Sequence, residues 1–360
     1  MSGDARPAAA SVGATGLSCP APAPDGDRVL LGHGSGGKLS AALIRDRFLP
    51  RFANPALAAL GDGAIVQLGG EQFAISTDTF VVSPLEFPGG DIGLLAVHGT
   101  LNDVAMMGAE AVCLSSGFVL EEGLPLEVLD RVLDSMSGAA ARAGVPLVTG
   151  DTKVVERGKA DGMFINTTGI GRLRGDFTPA PDRARPGDVV LVSGPLGRHG
   201  IAVMSVREGL GFEVEVESDT AYLGPLVDAL RARCGDGVRS LRDPTRGGVA
   251  SALNEIAGAS NVGIALNGAA IPVPRAVNAA CEVLGLDPLY VANEGVLIAI
   301  VAPESEQRAI AALRSVSIGT EAARIGLVQG GPGGMVTLRT GLGGSRVVDM
   351  LPGDQLPRIC

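Results

Sequence analysis

The sequence contains no tryptophan and few other aromatic residues. Aromatic side chains make up 3% of its 360 residues, whereas hydrophobic residues make up 46% and glycine occurs 53 times. A core without large rings must be built mainly from valine, leucine, isoleucine and alanine. A chain of this length holds about two domains, each large enough to bury a core of its own.

Basic residues are also in short supply. The 29 lysines and arginines are outnumbered by 39 acidic residues, which gives a formal net charge of -10. Binding to nucleic acid or to an anionic membrane needs clustered basic residues, and the sequence has no such cluster interleaved with aromatics. Apolar stretches such as 296–302 are too short to cross a bilayer. We therefore predict a soluble, cytoplasmic protein that binds neither nucleic acid nor membrane.

Paired cysteines and a secretion signal are missing as well. The five cysteines lie far apart, without the spacing of a zinc site or a redox dithiol, and this fits a reducing compartment. Residues 1–27 are rich in alanine, proline and glycine but lack a basic segment followed by a long apolar run. They are predicted to form a disordered extension, in which Cys19 is incidental.

The last residue of the chain is a cysteine. Pro352, Gly353 and Pro357 precede Cys360 and disfavour helix and strand, so the segment 351–360 is predicted to be an extended, mobile tail. Such a tail can carry a covalently attached group. It can equally be a frayed end with an accidental thiol, because reactivity needs an activating environment.

Two glycine-rich segments are candidates for binding an anion. The first nearly meets the Walker A pattern, but Leu39 stands where that pattern needs serine or threonine. The second opens a helix predicted from Val249, where a helix N-terminus and Arg246 can hold an anion. A flexible hinge and a helix cap are the simpler interpretations. The residues concerned are Gly34, Ser35, Gly36, Gly37 and Lys38 in the first segment, and Thr245, Arg246, Gly247 and Gly248 in the second.

Aspartates recur where predicted elements end. Asp62 lies in a Gly-Asp-Gly turn, and Asp78 follows a strand predicted over 73–76. Asp103 comes directly after Asn102 in a segment of helical spacing. Oxygen ligands gathered from separate elements are what magnesium on a nucleotide requires. Each carboxylate taken alone can also be structural or solvated.

An acid and a base come together later in the chain. A short strand predicted over 144–149 ends just before Asp151, and Lys153 follows shortly. Lys153 can neutralise charge on a transferred phosphoryl group, or it is an exposed loop lysine. Glu294, in a tight loop between apolar segments, is either a buried base or a turn residue.

Strand and helix patterns mix in both halves of the sequence. Apolar residues at three- and four-residue steps predict an amphipathic helix over 125–143. The segment 179–187 contains three prolines and alternating charges, which makes it the best linker candidate. We predict an N-terminal domain over 28–178 and a C-terminal domain over 188–350.

Together these motifs resemble the HypE family of hydrogenase maturation proteins. That family belongs to a superfamily with aminoimidazole ribonucleotide synthetase, selenophosphate synthetase and thiamine monophosphate kinase. The resemblance covers nearly all of 31–360, and the order of the motifs, with the cysteine last, is highly specific. The matching segments are 33–37, 76–78, 102–105, 150–155, 243–248, 292–295 and 357–360.

The resemblance implies both a fold and an activity. The fold would be α+β, with two aminoimidazole ribonucleotide synthetase-like domains, a flexible C-terminal tail and a homodimer formed largely by N-terminal strands. The activity would be that of an ATP-dependent carbamoyl dehydratase. A carbamoyltransferase, HypF, would load Cys360 as a thiocarbamate, and this chain would convert it to a thiocyanate. A HypC–HypD scaffold complex would take up the cyanide for the iron of nickel-iron hydrogenase.

The same resemblance implies residue roles. Cys360 would be the covalent carrier, Glu294 the base and Lys153 the group that stabilises charge. The two glycine-rich segments would hold the phosphates of ATP. The other implied ligands are Asp62, Asp78, Asp103 and Asp151 for Mg²⁺, and Thr77 and Asn102 for the nucleotide.

Two other functions stay open at this point. A carrier protein could hold a carbamoyl or cyano group on Cys360 without hydrolysing nucleotide, although it would need neither the aspartates nor the glycine segments. A sister enzyme, such as a small-molecule kinase or a selenophosphate synthetase, is the other alternative. The latter commonly has its reactive residue near the N-terminal glycine segment, where this chain has Ser35.

Overall fold

The computed structural model of the protein describes most of the chain. The described residues are 28–175, 177–209, 215–331, 333–341, 343–353, 356 and 358–360. The predicted extension 1–27, with Cys19, and Pro357 of the tail lie outside them. Leu31–Cys360 cluster as one compact unit, and the predicted domain boundaries stay predictions.

The first half of the chain builds a five-stranded sheet with helices against one face. Its strand order is β1-β2-β7-β5-β6, and β3 and β4 pair separately. In chain order the elements are α1 (Lys38–Leu43), α2 (Leu49–Phe52), α3 (Pro55–Ala58), β1 (Ala64–Leu68), β2 (Glu71–Phe80), β3 (Glu86–Phe87), β4 (Gly90–Asp91), α4 (Ile92–Met106), β5 (Ala109–Glu121), α5 (Leu126–Ala143), β6 (Leu147–Val155) and β7 (Met163–Leu173).

Alternating burial defines the inner face of this sheet. On β2, Ala74, Ser76 and Phe80 are buried, whereas Thr77 and Thr79 are exposed on the other face. The inner face packs against α4, which is buried almost all round because α5 and a helix of the second half, Gly224–Cys234, cover it from other sides. The predicted amphipathic helix is confirmed as α5, whose buried residues lie on one face.

The second half builds a seven-stranded sheet in the order β14-β13-β10-β12-β8-β11-β9. Strands β8 and β11 are buried throughout. The elements are β8 (Val189–Val192), α6 (Arg198–Arg207), α7 (Gly224–Cys234), β9 (Val238–Arg242), α8 (Gly248–Ala259), β10 (Gly263–Asn267), α9 (Arg275–Leu284), β11 (Ile298–Val301), α10 (Glu306–Arg314), β12 (Ala323–Gln329), β13 (Met335–Arg339) and β14 (Ser345–Val347).

One predicted strand end is wrong, and it concerns two candidate site residues. We expected the strand over 144–149 to end before Asp151, but β6 continues to Val155. Its backbone pairs in parallel with β5 from Leu147 to Val155, so Asp151 and Lys153 lie within a strand. The β-branched residues around them favour that extended pairing over a loop.

Among the described residues, no helix is both long and apolar enough to cross a membrane.

Candidate active site

Three aspartates from distant parts of the sequence form an acidic cluster, in which Asp243 is buried and Asp62 and Asp103 are partly buried. Asp62 precedes β1, Asp103 lies in α4, and Asp243 directly follows β9. Each offers a carboxylate oxygen, and these oxygens all lie within 4.8 Å of one another. Ser76 donates a hydrogen bond of 2.6 Å to Asp103 Oδ2. The carboxylate of Asp78 on β2 lies near enough to act on the pKa values of the cluster.

Burial and mutual repulsion make this cluster hard to ionise. Burial, followed by the charge of Asp62, raises the pKa of Asp243 to about 8. The pKa of Asp103 is raised well above its ordinary value by burial and then by the charge of Asp243. Burial raises the pKa of Asp62 to about 6, although the charge of Arg242 opposes the shift. A divalent cation relieves such repulsion.

The chemistry of the donor set fits Mg²⁺. All candidate donors are carboxylate oxygens from different elements, and hard cations of this kind prefer oxygen ligands. Arg242 forms ion pairs with both Asp62 and Glu255, and these contacts hold the Asp62 carboxylate in its place within the cluster. The structure thus supports Asp62, Asp103 and Asp243 as the residues that would hold a magnesium ion.

Sequence reasoning missed Asp243 as a member of this cluster. The phosphate-binding prediction covers Thr245 to Gly248 and leaves Asp243, two residues earlier, without a role. The available signal was the Asp243-Pro244 step, because an aspartate before proline is typical of the start of a turn. Asp243 is 8% exposed, and this burial separates it from an ordinary turn aspartate.

The two glycine-rich segments meet beside the cluster. Arg246 Nη1 donates a hydrogen bond of 2.9 Å to the Gly34 carbonyl, and its guanidinium lies 3.8 Å from Asp78. Gly36 has a φ of +72°, and a Cβ there would lie 3.0 Å from the Arg246 carbonyl oxygen. Both the backbone conformation and the close approach require glycine. The juxtaposition supports the prediction that the two segments hold one phosphate chain.

Lys38 is engaged by the C-terminal part of the chain. Its side chain forms an ion pair with Asp349, and its backbone N–H donates a hydrogen bond of 2.9 Å to the Leu351 carbonyl. A direct contact between Lys38 and phosphate therefore stays a prediction. The contacts do show that the first glycine segment and the approach to the tail pack together.

The terminal cysteine lies in the interior, against Glu294. Cys360 is 8% exposed, and its thiol lies near enough to the Glu294 carboxylate for that group to raise its pKa. Burial, then the charge of Glu294, raises the pKa of the thiol well above its ordinary value. The charge of Arg246 acts in the opposite direction, so its guanidinium lies near the thiol as well as near Asp78. Arg246 therefore connects the thiol to the acidic cluster.

Glu294 is positioned by the carboxylate of Asp219, which is partly buried. Asp219 accepts hydrogen bonds of 3.3 Å from the Glu294 N–H and 3.2 Å from the Gly295 N–H. A Cβ at Gly295 would collide with the Asp219 carbonyl, so only glycine allows this turn. Burial, then the charge of Asp243, raises the pKa of Glu294 well above its ordinary value. Its Oε1 atom is buried and has no hydrogen-bond partner among the described residues.

Two predicted nucleotide contacts have other partners in this structure. The side chain of Asn102 donates to the Ala221 carbonyl at 3.0 Å and accepts from the Leu223 N–H at 2.8 Å. Thr77 lies on the outer face of the sheet, where Thr168 donates to it at 3.0 Å. Their roles in binding nucleotide stay predictions.

Asp151 and Lys153 are not brought to the cluster within one chain. They are exposed on the edge strand β6 and pair with each other at 2.5 Å. Strands β5 and β7 lie between β6 and β2. Three strand spacings separate Asp151 from β2, which is roughly 14 Å. Their predicted roles at the magnesium and phosphate sites thus find no support in the geometry of the single chain.

Replacing Asp243 with asparagine tests the acidic cluster. We expect Asp243→Asn to raise the thermal midpoint of the metal-free protein by about 2 °C or more, because it removes a buried repelling charge. We also expect the variant to lose most of the stabilisation that wild type gains from Mg²⁺. Differential scanning fluorimetry with EDTA and with Mg²⁺ measures both effects.

The pH dependence of that result has a defined sign. The carboxyl group of Asp243 has a pKa of about 8 in the folded protein, which is higher than in the unfolded chain. Its contribution to stability is therefore fully present below the pKa of the unfolded chain and is lost as the pH rises through about 8. Metal-free wild type should lose stability across that window, and Asp243→Asn should lose less. Asp188→Asn is the control, because Asp188 is also buried but accepts a hydrogen bond from Arg185, away from the cluster. Equal Mg²⁺ stabilisation in wild type and Asp243→Asn would contradict the assignment.

Comparisons with known proteins agree with this arrangement. The N-terminal domain family of AIR synthase related proteins matches residues 60–173, and the C-terminal domain family matches residues 185–339. The carbamoyl dehydratase HypE of Cupriavidus necator is 53% identical over 334 residues, which cover 92% of this chain and 95% of that protein. The HypE of Escherichia coli is 46% identical over 339 residues, which cover 93% and 100%.

Solved structures show the same fold. A HypE structure in complex with ATP is 52% identical, with a TM-score of 0.78 and coverage of 92% of this chain and 100% of that one. The structure of a HypE–HypF complex matches with 45% identity, a TM-score of 0.82 and coverage of 86% and 100%. The predicted α+β fold with two aminoimidazole ribonucleotide synthetase-like domains is thereby confirmed. The chain belongs to the HypE family of hydrogenase maturation proteins.

Proposed function

We propose that this chain is an ATP-dependent carbamoyl dehydratase that acts on its own C-terminal cysteine. One observation carries the proposal: the buried Cys360 thiol lies near the Glu294 carboxylate, and Arg246 lies near both that thiol and Asp78, beside the acidic cluster. Relatives in this family are named carbamoyl dehydratases, and one HypE was solved with ATP. A simple carrier of a carbamoyl group would need neither the cluster nor the glycine segments.

The proposed reaction removes the oxygen of a thiocarbamate carried on Cys360. The carbamoyl oxygen attacks the γ-phosphorus of ATP, the bond from that phosphorus to the bridging oxygen breaks, and ADP leaves. The carbon–oxygen bond then breaks, phosphate leaves, and the nitrogen loses both protons as the triple bond to carbon forms. In sum, thiocarbamate and ATP give thiocyanate, ADP and phosphate. Phosphorylation is needed because an unmodified carbamoyl oxygen is a poor leaving group.

The residues divide this work between them. Glu294 lies against the thiol, and its buried Oε1 is free of other partners among the described residues, so it is placed to take a proton from the amide nitrogen. A carboxylate with a raised pKa is a stronger base once it is ionised. Arg246 and the glycine segments would bind and orient the phosphate chain. Mg²⁺ held by Asp62, Asp103 and Asp243, with Asp78 beside them, would neutralise phosphate charge.

Partners follow from the origin and destination of the group on Cys360. We propose that HypF supplies the carbamoyl group, and a HypE–HypF complex is among the solved relatives. A HypC–HypD scaffold complex would accept the cyanide for the iron of nickel-iron hydrogenase. The cycle would take place in the cytoplasm, where ATP is available and a lone thiol stays reduced.

A homodimer through the five-stranded sheet is part of the proposal. The edge strand β6 exposes Val148 and Val154, and the opposite edge strand β1 exposes Leu68. Sheet surfaces with exposed apolar residues are typically covered by another chain. In such a dimer, Asp151 and Lys153 would serve the partner's site, which is how their predicted roles can be reconciled with their distance from the cluster in one chain.

Isotope transfer tests the proposed reaction. The protein is incubated with HypF, ATP and a carbamoyl donor labelled with ¹⁸O at the carbamoyl oxygen. We expect the released phosphate to contain the label, because that oxygen is the atom phosphorylated. Unlabelled phosphate would indicate ATP hydrolysis by water, and label retained on the C-terminal peptide would indicate a carrier. Either result would overturn the proposal.

A further inference from the structure

The body of the protein holds the tail through its backbone. The Cys360 carbonyl accepts from the Val81 N–H at 3.3 Å, and the Arg358 carbonyl accepts from the Ser83 N–H at 3.2 Å. The carbonyl between them, that of Ile359, accepts from a side chain, His199 Nε2, at 2.8 Å. Each of the last three main-chain carbonyls therefore has a donor, and the Cys360 thiol lies near Glu294.

The histidine contact is the most buried of these. His199 is fully buried at the start of α6, and the ring of Phe87 meets it edge-on with centroids 5.3 Å apart. A hydrogen bond buried in this way is stronger than one at the surface, because the local dielectric constant is low. Its loss would also leave the Ile359 carbonyl without a partner, which costs more than the bond itself contributes.

The hydrogen-bond partners fix the protonation state of the ring. Because a carbonyl oxygen can only accept, Nε2 must carry the proton. Burial lowers the pKa of His199 to about 4, so the ring is neutral near neutral pH and Nδ1 is an acceptor. The Ser218 hydroxyl lies 2.9 Å from Nδ1 and itself accepts from the Thr220 N–H at 3.1 Å. The bonds thus run in one direction, from Thr220 through Ser218 and His199 to the tail.

We propose that His199 is a positioning residue for Cys360, which holds the Ile359 carbonyl so that the terminal thiol is seated against Glu294. The proposal rests on the proposed function for its catalytic consequence, but seating of the tail can be measured without nucleotide. His199 touches neither the thiol nor the acidic cluster in the hydrogen bonds above, so it acts through the tail backbone.

Alkylation of the full-length protein by iodoacetamide, without ATP, reports how often the tail leaves its seat. We expect His199→Leu to alkylate Cys360 at least about tenfold faster than wild type, a factor that corresponds to about 1.4 kcal/mol. His199→Gln keeps an N–H the same number of bonds from Cα and should stay within about threefold of wild type. Ser218→Ala, which removes the partner of Nδ1, should give an intermediate rate of about threefold.

Two controls separate seating from general loosening of the fold. Cys281 is buried in the same core, and its alkylation in the same sample should not change. His98 is a second buried histidine, and its partner at 3.3 Å is the Thr220 hydroxyl and not the Thr220 N–H that donates to Ser218, so His98→Leu should leave Cys360 protected. If Cys360 and Cys281 accelerate together, or if His199→Leu and Ser218→Ala both behave like wild type, the proposal is wrong.

A kinetic readout then links seating to chemistry. With carbamoylated protein, His199→Leu should lower the dehydration rate about tenfold and leave the KM for ATP unchanged, whereas His199→Gln should restore most of the rate. If Cys360 is alkylated faster in His199→Leu but the wild type never dehydrates the carbamoyl group, the proposed function is wrong and the seating role of His199 is supported. Normal dehydration in wild type with unchanged alkylation in His199→Leu would sink the seating role alone.

Discussion

Cys360→Ala is expected to abolish the phosphate release that depends on carbamoyl transfer, by at least about a thousandfold, and to leave ATP binding intact. The thiol is the proposed attachment point of the substrate, so without it the nucleotide site has nothing to phosphorylate. The acidic cluster and the glycine segments lie on other elements and keep their geometry. Phosphate release measured with HypF and carbamoyl donor, and calorimetric titration with ATP, give the two quantities.

Two further cysteine variants serve as controls for Cys360→Ala. Cys360→Ser keeps the size of the side chain but replaces the nucleophile, and it should be as inactive as alanine. Cys113→Ala changes a partly buried cysteine of β5 and should behave as wild type. Continued turnover of carbamoyl donor and ATP by Cys360→Ala would mean that the group is carried elsewhere.

Glu294→Gln is expected to stop the cycle after carbamoylation. The amide has the same shape as the carboxylate but cannot take a proton, and removing a general base typically costs about 10²–10⁴ in rate. The carbamoyl adduct on Cys360 should therefore accumulate. A mass-spectrometric time course of the C-terminal peptide gives the rate of each step.

The pH profile distinguishes a base from a structural residue. Because burial and the charge of Asp243 raise the pKa of Glu294, the base is ionised only as pH rises, and wild-type dehydration should accelerate in that direction. The residual rate of Glu294→Gln should not follow this profile. Glu282→Gln, on α9, is the matched control. Conversion of the adduct by Glu294→Gln at the wild-type rate would remove Glu294 as the base.

The sequence predicted the parts of the site better than their arrangement. Asp62, Asp103 and Arg246 were recognised from turns and spacing, and the structure brings all three to one place. Asp243 was overlooked because its membership depends on the fold carrying the end of β9 to α4. No local pattern encodes that distance. The pairing of Cys360 with Glu294 is likewise a tertiary contact between separate elements.

Strand pairing explains where the sequence reasoning went wrong. Glycine in the segment 150–153 suggested a loop, but hydrogen bonds to β5 extend β6 through it. The outcome depends on a neighbouring strand, and propensity alone does not decide such cases. The contacts that seat the tail were also invisible, because His199 recognises a backbone carbonyl and any residue offers one there.

Mass spectrometry of the C-terminal peptide tests the central claim most directly. The protein is incubated with HypF, carbamoyl donor, ATP and Mg²⁺, and the peptide is followed over time. We predict that Cys360 first gains the mass of one carbamoyl group and then loses the mass of one water. A thiol that stays unmodified throughout, or an adduct that never loses water, would contradict the account.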